Sequence, residues 1–295
     1  MTRPVWADRW MRPLAWSSLA ANILIVVSGG VVRLTGSGLG CPTWPRCTEE
    51  SFTPHGELGI HGVIEFGNRM VTFLIAAVAV ATFVVAWKYG RPAVTRIAVV
   101  LAVGVPAQAV IGGISVRTEL NPWVVALHLL VSLAMIGFAV LLLRRLGEGD
   151  GRPVSTVPDG VTWLVRGIFV VGWSVLYVGT VVTGSGPHAG DEDAPRNGLD
   201  PLSMSQLHTD LVMLLFGLTI AVVLSLRAVD APQLAQRAGV LLLLVELGQG
   251  MVGFTQYFLD LPIALVALHL LGAAVFSAAL TWLLLSIRER GLAGA

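Results

Sequence analysis

The sequence predicts an all-α integral membrane protein of eight transmembrane helices, arranged as two parallel-repeat four-helix bundles. Three observations carry that prediction. The 295 residues are 55% hydrophobic and only 13% charged, with a mean hydropathy of +0.78, whereas a soluble chain holds about 25% charged residues. Apolar runs long enough to cross a bilayer recur from end to end. The chain also repeats itself. Gln108–Ile114, followed by Ala126–Leu130, returns as Gln249–Phe254, followed by Ala267–Leu271, at a constant offset of 141 residues (249 minus 108; 269 minus 128).

Taken in order, the apolar runs give spans at roughly 14–34, 60–87, 94–116, 122–143, 161–183, 203–226, 234–256 and 261–287. The first follows Arg3, Arg9 and Arg12, as a signal peptide would, but no small-residue cleavage site stands at the right distance, so it reads as a helix. Between the fourth and fifth spans, Gly147–Asp159 is polar, rich in Gly and Pro, and has no apolar period. It divides the chain into an N-terminal half (1–146), a linker (147–160) and a C-terminal half (161–295). Each half opens with one span and then a long outer loop, about 35–59 and 184–202, next to Thr35–Gly38 and Thr183–Gly186, both reading Thr-Gly-Ser-Gly. An even number of spans per half makes the repeats parallel rather than inverted.

Charge sets the expected orientation. With the N-terminus inside, fourteen Lys and Arg fall on the inner side: Arg3, Arg9, Arg12, Lys88, Arg91, Arg96, Arg144, Arg145, Arg152, Arg166, Arg227, Arg237, Arg288 and Arg290. Four fall outside, at Arg33, Arg46, Arg117 and Arg196. By the positive-inside rule both termini lie in the cytoplasm of a multi-pass protein in the cell membrane. Trp16, Trp87, Trp123, Trp163 and Trp282 stand near span ends, as an aromatic belt does.

Polar residues inside the spans are costly and mark function by default. They are Glu65, Asn68, Arg69, Gln108, His128, His208, Asp210, Glu246, Gln249 and His269. His128 and His269 are the repeat's matched pair. Helical rise puts His208 ~8 Å and His269 ~12 Å below the outer end of their spans, on facing helices. A single intramembrane His is explained by an interhelical hydrogen bond. A matched set in a repeat points instead to the two axial faces of a haem iron. In the first half the counterpart of His208 falls on Gly67 or Asn68, so that site is asymmetric, with His128 facing a helix that carries His61, Glu65 and Asn68 on one face. Gln108 and Gln249 read as interhelical hydrogen bonders. Arg33, Arg46 and Arg69 suit carboxylates such as haem propionates, by their bidentate geometry. Cys41 and Cys47, the only cysteines, share the first outer loop, on the side where a disulfide persists. No nucleotide-binding loop, dinucleotide fingerprint, serine triad or nucleic-acid patch is present.

The run Thr35 to Cys47, with Cys41, Trp44 and Pro45, followed by Ile64–Arg69, Ala126–His128, His208 and Ala267–His269, resembles the haem A synthase family over nearly the whole chain. The resemblance implies an oxidoreductase that converts a methyl group of haem O to the formyl group of haem A, for cytochrome oxidase assembly. It implies haem b between His208 and His269, and the substrate haem O at His128 with Glu65 essential and His61, Asn68 and Arg69 nearby. It also implies a redox-active Cys41–Cys47 pair. One departure stands out: the family's Glu-x-x-His-Arg reads Glu65-Phe66-Gly67-Asn68-Arg69 here. Expected partners are haem O and the haem O synthase that supplies it, an unidentified electron donor and the lipid bilayer. The oligomeric state stays open, a homo-oligomer included. The rival readings are a b-type membrane electron-transfer or haem-carrier protein without bond-making chemistry, and a small-molecule transporter.

Overall fold

The computed structural model describes residues 4–291. Arg3 of the inner basic set and the C-terminal residues 292–295 lie outside the described residues. Eight helices are long and apolar enough to cross a membrane: α1 (Val5–Leu34), α2 (Gly59–Tyr89), α3 (Pro92–Arg117) and α4 (Pro122–Leu146), then α5 (Asp159–Ser185), α6 (Pro201–Ala228), α7 (Gln233–Phe258) and α8 (Ile263–Ser286). All eight expected spans are helices, so the chain is an all-α, multi-pass membrane protein. The one sizeable difference is at the start. α1 begins at Val5 rather than near 14, through Asp8, Arg9 and Arg12. Hydropathy discounts that stretch, but Ala7, Met11 and Ala15 recur every four residues and pack on Val85, Ala86, Val94 and Ala98.

α1 to α4 touch one another in a ring, and α5 to α8 do the same. The two rings meet through α1, α4, α5 and α8. A shared apolar core runs through that seam, with Leu133 and Ile136 of α4 against Leu176 of α5 and Ala274 and Leu280 of α8. Ser277 Oγ of α8 donates to the Leu133 carbonyl at 2.9 Å. The repeat extends to backbone detail. The α3–α4 turn places Glu119 and Leu120 at φ 52° and 59°, and the α7–α8 turn places Asp260 and Leu261 at 56° and 59°. These are the same two positions shifted by 141 (260 minus 119; 261 minus 120). Positive φ is uncommon outside glycine, so both halves use one tight turn to set the register between their last two helices.

The linker is more ordered than its composition suggests. Strand β1 (Pro153–Ser155) pairs antiparallel with β2 (Arg288–Arg290), Val154 opposite Glu289. Charges hold the strand pair to the helix ends. Arg91 meets Asp150 at 2.9 Å, Arg144 and Arg145 meet Glu148 at 2.9 and 3.2 Å, and Arg145 reaches Asp150 at 3.2 Å. The Arg91 hydrogen bond holds the Asp150 carboxyl below its usual range. That contribution is present above the ordinary carboxylate range and fades only as pH falls through the lowered value.

Candidate functional site

Three of the intramembrane histidines share one local construction. Each is half-buried, and each imidazole rests on a glycine of the preceding helix. A Cβ on Gly179 of α5 would lie 3.2 Å from His208 Cε1, one on Gly253 of α7 3.4 Å from His269 Cε1, and one on Gly112 of α3 3.3 Å from His128 Cε1. The bare backbone lets the ring lie flat against the neighbouring helix. Nδ1 of all three is buried and makes no hydrogen bond of good geometry. A buried imidazole nitrogen without a well-aligned partner is unusual in a packed structure. His208 and His269 sit in the same ring of helices.

The two glutamines brace these histidines through the main chain. Gln108 Nε2 donates to the His128 carbonyl at 3.1 Å, and Gln249 Nε2 donates to the His269 carbonyl at 3.0 Å. They bond between helices, as the sequence suggests. Ser132 Oγ gives the His128 carbonyl a second donor at 2.9 Å, whereas Ala273, the counterpart of Ser132 in α8 (132 plus 141), has no hydroxyl.

The fourth position departs from this construction. Asn68 of α2 accepts from Ser28 Oγ of α1 at 2.7 Å. His61, near the start of α2, pairs its Nδ1 with Ser37 Oγ at 2.9 Å and is exposed. Between them Glu65 is 6% exposed. Its Oε2 accepts from the Cys41 N–H at 2.6 Å, and its Oε1 pairs with Arg69 Nη2 at 2.6 Å. The three residues of the expected α2 face therefore all engage α1 and the loop that follows it. Ser28, Ser37 and the Cys41 amide were invisible from sequence, because each partner is assigned only when the helices pack.

The outer loop is anchored over this half. Cys41 and Cys47 form a disulfide, and neither sulfur is free. Arg69 donates to the carbonyls of Thr43 and Arg46 at 3.0 Å each, and to that of Cys41 at 3.3 Å. The Trp44 ring lies on Gly113 of α3, and Arg117 donates to the Trp44 carbonyl at 3.1 Å. Arg33 crosses to the other half and donates to the carbonyls of His188 and Thr183 at 2.7 and 2.9 Å. Burial, with Arg33 and Arg196 nearby, holds the His188 imidazole below its ordinary value. Arg33, Arg46 and Arg69, the expected carboxylate partners, thus spend donors on main-chain carbonyls and brace loops. No cluster of His, Cys, Asp and Glu suited to a bare metal ion occurs among the described residues.

Set against known proteins, the chain matches the Cytochrome oxidase assembly protein family (COX15-CtaA) over residues 12–195, more than half its length. Among curated proteins it is similar to "Heme A synthase" of Bacillus cereus strain G9842, 24% identical over 292 residues, which covers 94% of this chain and 93% of that protein. The "Heme A synthase" proteins of Bacillus mycoides strain KBAB4 and Bacillus anthracis strain CDC 684 are similar to the same extent. With the disulfide loop, the buried glutamate and the histidines in place, the extent of the family match decides the assignment: the chain belongs to the Cytochrome oxidase assembly protein family.

Proposed function

We propose that the chain is a haem A synthase, an oxidoreductase that converts a methyl group of haem O to a formyl group, by successive hydroxylation and loss of water. The observation that carries this reading is the asymmetry between the halves. The C-terminal half holds two glycine-seated imidazoles, and the N-terminal half holds one glycine-seated imidazole and a buried carboxylate. The paired site suits a resident haem b, held by His208 and His269, which when bound supplies one-electron transfer. The unpaired site suits the substrate haem, with His128 as its protein ligand.

Glu65 is the catalytic residue of this reading. Cys41 N–H and Arg69 hold its carboxylate, so its position depends on the loop that covers the site. There it holds or moves a proton near the methyl group, or stabilises positive charge that develops on the substrate. Trp44, within the disulfide loop, lies on Gly113 of α3 at the outer end of this half. A haem carrier without chemistry has no need of Glu65. Glu65→Gln keeps shape and hydrogen bonding but removes the ionisable group. Pigment extracts of the purified variant are expected to hold haem b and haem O and at least ~100-fold less haem A than the parent, the lower end of what one acid–base group contributes. Haem A made at the parent rate would move the carrier reading ahead.

The basic bias supports a cell-membrane orientation with both termini in the cytoplasm and the disulfide loop outside. After mild reduction, an impermeant thiol reagent is expected to label Cys41 and Cys47 in intact cells. Labelling that required broken membranes would reverse the orientation.

A further inference from the structure

Among the described residues, one buried carboxyl group within a spanning helix belongs to neither the disulfide loop nor the histidine seats. Glu246 of α7 is 7% exposed. Its Oε1 accepts from Thr219 Oγ1 of α6 at 2.8 Å, and its Oε2 is buried without a hydrogen bond. No basic side chain among the described residues forms an ion pair with it. An intramembrane carboxyl with one neutral partner is expensive to keep and marks function by default.

Its place in the fold is specific. Glu246 stands seven residues before Gly253, the residue beneath the His269 ring, so it shares that face of α7 about two turns, or ~10.5 Å, away. Thr219 stands eleven residues after His208, on the same face of α6, about three turns away. The Glu246–Thr219 bond therefore joins the two helix faces that carry His208 and the seat of His269, on their arginine-rich side. In the first half the counterparts are Val105 (246 minus 141) and Ala79 (219 minus 140), neither of them polar. The feature belongs to the paired-histidine half alone. α7 packs against α6 and α8. Besides His208, α6 carries only the exposed Asp210 and, at its inner end, Arg227. α8 carries only His269, and α7 itself adds Arg237 and Tyr257 near its ends.

We propose that Glu246 is a redox-linked proton site. It binds one proton when the group held by His208 and His269 gains one electron, and it releases that proton when the electron leaves. This rests on the haem reading above. In balance, a one-electron donor is oxidised, ferric iron becomes ferrous, and the Glu246 carboxylate becomes the acid with a proton drawn from water. The net charge of the buried half stays constant, and that matters because an uncompensated charge in low dielectric is costly. The Thr219 hydroxyl donates to the carboxylate and accepts from the acid, so it serves both states.

The test is an equilibrium redox titration of the purified, haem-loaded protein at several pH values, followed by haem absorbance. The wild-type midpoint is expected to fall as pH rises, and the Glu246→Gln midpoint to lose most of that dependence. A reduced-minus-oxidised infrared difference spectrum of the wild type, which needs no variant, is expected to show the carbonyl stretch of a newly protonated carboxylic acid, shifted in heavy water. An undiminished slope in Glu246→Gln, or no carboxylic acid band in the wild type, overturns the proposal and leaves the haem reading intact. A wild type that carries no haem overturns both.

Discussion

In α6, His208 rests on Gly179 of α5; at the matching place in α2, Asn68 is hydrogen bonded to Ser28 of α1. The last two helices of each half are near copies, with the same αL turn, the same glycine beneath the histidine and the same glutamine on its carbonyl. The first two helices have diverged. In the C-terminal half they complete a histidine pair. In the N-terminal half they carry a carboxylate tied to an outer loop, where the neighbouring imidazole, His61, is exposed and tied to Ser37. The comparison teaches that one helix pair can be kept as a histidine-bearing platform while its partner pair diverges.

The largest expected effect breaks the paired site outright. His208→Ala or His269→Ala is expected to remove most haem b, because one imidazole cannot hold a six-coordinate low-spin iron. A full low-spin spectrum in either purified variant would refute the assignment.

A smaller effect is expected from an attempt to make the halves alike. Aligning the two Thr-Gly-Ser-Gly motifs (183 minus 35 is 148) puts Val31 where α5 has Gly179. Asn68→His alone loses the Ser28 bond and lacks a bare backbone on which to lay the ring. It is expected to give only a minor low-spin signal from bound haem O, and Val31→Gly added to it is expected to raise that signal. Electron paramagnetic resonance reads both. Complete conversion by Asn68→His alone would show that the glycine seat is dispensable.

The smallest effect concerns the braces. Gln249→Leu removes the side-chain donor to the His269 carbonyl, which keeps its helical partner, at a cost of about 0.5–1.5 kcal/mol for one hydrogen bond. Gln108→Leu is expected to cost less, because Ser132 still serves the His128 carbonyl. Thermal unfolding of the two purified variants side by side measures the difference. Equal losses would mean that the serine does not compensate.

Read alone, the sequence determined the eight spans, the two-half repeat, the asymmetry at Asn68 and the candidate residues Glu65, His128, His208 and His269. These are legible because bilayer insertion depends on local composition, and because a repeat aligns its own landmarks. Only the tertiary structure decided what those residues touch. It joined Glu65 to the Cys41 amide, His61 to Ser37, Asn68 to Ser28 and Glu246 to Thr219, and it turned Arg33 and Arg69 onto loop carbonyls. It also made a strand of Pro153–Ser155, whose partner lies far along the chain at Arg288–Arg290. Hydropathy scores each residue against lipid, one at a time. A buried polar group is satisfied by a neighbour that arrives from another helix, and that pairing exists only once the helices have packed.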